Sequence, residues 1–151
     1  MKKALVAHLS IAGHTETLAE YIAEGIRMAG CDTEVKKVSE IKTEKDLEGY
    51  DGYVFGCPTY HRDMPQPMKT LLFLAKKAGL EGKVGGAFGS YTHSGDAPKM
   101  IFDTLEYVFK MKVINLGSLN VKEAVVDTPE YLKACHDYGK AIGNSINEGA
   151  G

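Results

Sequence analysis

The chain has 151 residues and a net charge of −2, with 20 acidic side chains against 18 basic ones. That is the length of one domain, enough to bury roughly two-thirds of the surface its unfolded form exposes. The charge balance leaves no basic footprint for nucleic acid, no apolar run nears the ~20 residues that span a bilayer, and the three cysteines form no C-x-x-C pair that would suggest zinc or a disulfide framework.

Met1-Lys2-Lys3 is followed by only seven mostly apolar residues, which read as a first strand rather than a secretory signal and predict a cytoplasmic protein. Lys3 to Leu9 fits a buried parallel strand. From Thr15 the period becomes helical, with Leu18, Ala19, Ile22, Ala23, Ile26 and Ala29 on one face and Gly30 as the stop. Thr33 to Val38 alternates as a second strand, and Glu44 to Glu48 suits a short helix. Tyr53 to Phe55 is a third strand, ending at Gly56. Met64 to Ala78 is a helix with Pro65 and Pro67 in its first turn and Met68, Leu71, Leu72 and Ala75 inward. Val84 to Phe88 is a fourth strand. Ala97 to Lys110 is a helix with Ile101, Leu105 and Val108 inward, and Val113 to Val121 is an uninterrupted fifth strand. Asp127-Thr128-Pro129-Glu130 resembles a capping box opening the last helix, whose inner positions are Leu132, Cys135, Ala141 and Ile142. The tail from Asn147 to Gly151 frays. Cys31, Cys57 and Cys135 read as reduced thiols packed as small hydrophobes.

Strand and helix alternate five times, which predicts one α/β domain over residues 1–151: a doubly wound parallel sheet with helices on both faces. In such sheets ligands sit beyond the carboxyl ends of the strands, where the strand order reverses. In the order 2-1-3-4-5, the loops after strands one, three and four meet there. The first, Ser10-Ile11-Ala12-Gly13-His14-Thr15, is small and hydroxyl-rich and opens a helix. A phosphate placed there would meet free N–H groups and the positive end of the helix dipole. The second, Pro58-Thr59-Tyr60-His61-Arg62-Asp63, and the third, Ser90-Tyr91-Thr92-His93-Ser94-Gly95, bring tyrosines and histidines suited to a flat aromatic ligand. Other chemistries fail. G-x-G-x-x-G does not follow the first strand, Val84 stands where a Walker A loop needs Ser or Thr, and G-x-S-x-G is absent. The first and third strands end in Leu9-Ser10 and Phe55-Gly56, without the carboxylates a phospho-receiver domain requires.

On these three loops the chain resembles the flavodoxins of the short-chain type, especially the flavodoxin domain of A-type flavoproteins (flavo-diiron proteins). Ser10 to Thr15 resembles the family's phosphate loop, with Ala12 replacing a hydroxyl. Gly56-Cys57-Pro58-Thr59-Tyr60 followed by Met64-Pro65 resembles the second loop, and Gly89-Ser90-Tyr91 with Ser94-Gly95 the third. The resemblance implies non-covalently bound FMN, with Tyr60 and Tyr91 as stacking residues and all eighteen loop residues as its binding set. The second loop lacks the glycine that eases a redox-linked peptide flip in many flavodoxins. His14, His61 and His93 fall one in each loop, where an imidazolium would favour an anionic reduced flavin. The function implied is an electron carrier between transient redox partner proteins with no enzymatic substrate of its own; the oligomeric state is left open, with a monomer favoured over an oligomer. The alternative is an FMN-dependent NAD(P)H:quinone-type reductase, which needs a substrate cavity over the flavin. Cys57 and His61 could mimic a nucleophilic pair, but the resemblance favours packing for Cys57.

Overall fold

The computed structural model describes residues 2–9, 13–60 and 62–148. Its strands are β1 (Lys3–His8), β2 (Asp32–Lys37), β3 (Gly52–Gly56), β4 (Val84–Tyr91), β5 (Lys112–Val113) and β6 (Leu119–Lys122). Its helices are α1 (His14–Met28), α2 (Gln66–Ala78), α3 (Asp96–Asp103) and α4 (Pro129–Glu148). All strand pairs are parallel, in the order β2-β1-β3-β4-β5, with β6 also paired to β4. This is the doubly wound order expected from the sequence.

Both sheet faces are buried, so the central strands carry apolar residues on both sides. Leu5 and Ala7 of β1 join Met68, Leu71, Ile101 and Leu105 under α2 and α3. Ala4 and Val6 join Leu18, Ile22, Ile26 and Ile142 under α1 and α4. The residues predicted to line the inner faces of α1 and α2 are buried, apart from the half-buried Ala29 beyond the last turn of α1.

Three expectations need correction. The fifth strand is broken: β5 pairs with Val84 and Gly85, β6 pairs with Phe88 to Tyr91, and residues 114–118 leave the sheet between them. Tyr138 of α4 fills the break. Its hydroxyl accepts the Ala87 N–H at 3.2 Å and faces the carbonyl oxygens of Gly117 (2.6 Å) and Ala87 (3.0 Å), to one of which it donates. The helix predicted from Ala97 to Lys110 is α-helical only through Asp103. Thr104–Val108 is a π turn, in which Phe109 N–H donates to Thr104 O at 3.0 Å. The extra residue in that turn rotates the face, so Phe109 is buried where Val108 was expected, and Val108 is 54% exposed. At the start of α4, Tyr131 stands three residues after Thr128 where a capping box needs Glu or Gln, and the Thr128 hydroxyl donates to Val125 O at 2.7 Å.

Candidate functional site

β1, β3 and β4 lie side by side, His8 opposite Gly56 and Gly56 opposite Phe88, with β4 running on to Tyr91. The three loops named from the sequence therefore leave the same edge. Ser10, Ile11, Ala12 and His61 lie outside the described residues. Of the rest, Ser90 and Tyr91 belong to β4 itself, which runs three residues further than its apolar run suggests.

α1 begins immediately after Gly13, whose φ of 86° lies in the left-handed region that glycine adopts without strain. A helix start leaves N–H groups without intrahelical partners. Beside it stand two fully buried hydroxyls, Thr15 on the first turn of α1 and Ser90 on β4, 3.2 Å apart. Their mutual hydrogen bond uses one of two hydroxyl protons, which leaves one O–H for a third oxygen. Neutral donors at a helix N-terminus match what a phosphate monoester needs where no cation is at hand.

The second loop folds into a tight turn. Tyr60 and Asp63 exchange both backbone hydrogen bonds at 2.9 Å, and Arg62 takes a left-handed φ of 63°. That turn has no glycine, so its left-handed residue is arginine. Asp63 is held below the usual carboxylate range by the Lys69 ammonium at 2.5 Å and by the Met64 N–H at 2.8 Å. The turn presents Tyr60, 41% exposed, as an open aromatic face. Tyr91 is half-buried, while Thr92 and His93 are exposed.

The loops are tied to one another. Thr59 N–H donates to Ser90 O at 3.3 Å, and Ala97 N–H donates to Thr59 Oγ1 at 3.1 Å. Arg62 reaches Asp96 at 3.3 Å, an exposed pair of small energetic worth. Asn120 of β6, which sequence reasoning missed, donates from Nδ2 to Gly95 O at 2.7 Å. Its Oδ1 is buried with no partner among the described residues. A polar residue between the apolar Leu119 and Val121 of a short strand was the available signal. His14 Nδ1 lies 3.8 Å from Glu123 Oε1.

Cys57 is buried at the end of β3 and burial pushes its thiol up to about 12, which removes it as a nucleophile. The same holds for Cys135, also pushed up to about 12. All three thiols are free and buried, as expected. Among the described residues no cluster of His, Cys, Asp or Glu could hold a metal, and no helix is long and apolar enough to cross a membrane. Buried hydroxyls, a glycine-opened helix and an exposed aromatic turn on one edge fit a phosphorylated aromatic cofactor such as FMN.

The flavodoxin family model matches residues 6–134. The chain is 32% identical to an NAD(P)H dehydrogenase (quinone) of Acidovorax ebreus (strain TPSY), over 85% of this chain and 80% of that protein. That alignment runs over 160 positions, more than this chain has residues, so the relative carries insertions absent here. Among solved structures, a flavodoxin from the domain Archaea superposes with a TM-score of 0.86 at 28% identity, covering 96% of this chain and 99% of that one. The flavodiiron protein from Giardia intestinalis shares the fold, with a TM-score of 0.89 at 22% identity over 99% of this chain and 37% of that one. The expectation of a carrier that is no enzyme is overturned by the Acidovorax relative, which is named as an oxidoreductase enzyme.

Proposed function

Since the chain belongs to the flavodoxin family, whose domains bind FMN, we propose that it is one FMN-dependent domain that passes two electrons from NAD(P)H to a quinone. The observation that carries this reading is the 32% identity to a quinone dehydrogenase over most of the chain. The site supports it. FMN supplies the two-electron relay between nicotinamide and quinone when bound. Thr15, Ser90 and the start of α1 would hold the phosphate. Tyr60 and Tyr91 would hold the ring, with Arg62 and Asp63 from the second loop and Thr92 to Gly95 from the third. Pro58 and Thr59 carry the second loop, and Thr59 locks it to the third through Ala97.

The overall reaction is NAD(P)H + H⁺ + quinone → NAD(P)⁺ + quinol. The nicotinamide gives up a hydride, and the second proton on the quinol comes from solvent. Tyr60 is 41% exposed, which leaves the edge open to both substrates. The buried, unbridged thiols suit a reducing compartment, and we place the protein in the cytoplasm. The test is steady-state turnover by the purified FMN-loaded protein with NAD(P)H and a soluble quinone. Quinol formed in step with NAD(P)H consumed supports the reading. Absence of turnover, with FMN bound, refutes it.

A further inference from the structure

We propose that the apolar groove between α2 and the π turn seats the prenyl tail of the quinone substrate, so that the natural oxidant is a prenylated quinone rather than a bare ring. This inference rests on the reductase reading.

The groove has a volume of about 280 Å³. Met64, Leu72 and Phe73 line it on the α2 side, and Val108 and Phe109 line it on the side of the π turn. Its charged members are Lys69 and Lys76. The volume is just under the ~300 Å³ at which whole-ligand pockets begin. It therefore suits part of a ligand, and an uncharged hydrocarbon part, because five of its eight lining residues are apolar and Thr104 adds only a hydroxyl to the two lysines.

The groove adjoins the turn that bears the proposed flavin edge. Met64 follows Asp63, the residue that closes the Tyr60 turn, and its N–H is bonded to the Asp63 carboxylate. Lys69 lines the groove and pairs with the same carboxylate. A ring placed at Tyr60 would have its tail leave over Met64 into this space.

Two further observations point to an occupant. The π turn borders the groove and turns Val108 outward, and Tyr107 beside it is 66% exposed. Such turns recur at functional sites. Across the groove Phe73 is 69% exposed, on a helix whose other apolar residues pack inward. A second copy of the chain is the rival occupant. A stable interface buries about 800 Å² on each partner, and three exposed side chains around a concave groove fall well short of an apolar core for that.

The test uses the FMN-loaded protein with two probes, 2-methyl-1,4-naphthoquinone and the same ring carrying a two-isoprene side chain. The wild type should prefer the tailed ring in kcat/KM. Val108→Glu, and separately Phe73→Glu, should lower that preference about tenfold, the worth of burying roughly two methylene groups. Geraniol, a tail without a ring, should shift the methyl resonances of Leu72 and Val108 in the absence of any turnover. Equal treatment of both rings by wild type and variants overturns the proposal. So does a change of oligomeric mass on Val108→Glu, which would assign the groove to a second copy. If no quinone is reduced but geraniol still moves those resonances, the groove stands as a prenyl seat and the reductase reading falls.

Discussion

The two helix layers meet the same sheet in opposite ways. α1 and α4 pack backbone against backbone. A Cβ on Gly25 would lie 2.2 Å from His136 O, and one on Gly139 would lie 2.1 Å from Ile22 O. α2 and α3 stay apart, with the π turn and an open groove between them. Each layer presents a different half of the cofactor edge. The closed layer carries Thr15 and the helix start suited to a phosphate. The open layer begins at Met64, beside the turn that presents Tyr60. A bound dianion is best served by donors that do not move, whereas a substrate that comes and goes needs access. The asymmetry of the layers follows that division.

The contrast breaks most easily at the glycines. Gly139→Val should cost about 3 kcal/mol or more in urea unfolding, since the added atoms meet backbone that cannot yield. Phe73→Ser on the open layer should stay within about 0.5 kcal/mol. Equal losses at the two positions would mean that the layers do not differ in rigidity.

At the phosphate end, Thr15→Val combined with Ser90→Ala should weaken FMN binding about 10- to 100-fold, because hydrogen bonds to charged groups are worth about 1.5–3 kcal/mol. Equilibrium dialysis or flavin fluorescence measures this directly. An unchanged Kd would remove the hydroxyl pair from the site. Tyr138→Phe should cost about 1–2 kcal/mol of stability by unpairing Ala87 at the break in the fifth strand, with FMN affinity preserved.

The smallest effect concerns pH. His8, 3% exposed at the end of β1, has no partner for Nδ1 among the described residues, and burial lowers its pKa below the ordinary value of about 6.5. Glu16, Glu20 and Glu40 oppose that shift, and Lys37 adds to it. A lowered folded pKa means that the unfolded chain takes up the proton first. The stability is therefore complete above about pH 6.5 and lost as pH falls through the folded value. His8→Gln should flatten the dependence of Tm on pH below 6.5. An unaltered slope would place the acid sensitivity elsewhere.

The elements were legible wherever apolar periodicity decides them. Leu18 to Ile26 on α1 and Met68 to Ala75 on α2 face inward as their spacing predicts. Tyr138, Gly139 and Gly143 escaped notice on α4, because glycine and tyrosine give little apolar signal although close approach and a buried hydroxyl depend on them. Val108 was misplaced because a π turn changes the period without changing the composition. The loops were legible as three segments, but not the residues that tie them. Asn120, Asp96 and Glu123 lie far along the chain from the loop residues they meet, and only the fold brings them together.

The most direct measurement mixes the FMN-loaded protein anaerobically with one equivalent of NAD(P)H, no other protein present, and follows the visible flavin band. Bleaching within the time of one catalytic turnover, reversed by a stoichiometric quinone, is the predicted result. A band that NAD(P)H leaves untouched, and that only a reducing partner protein bleaches, would contradict the account.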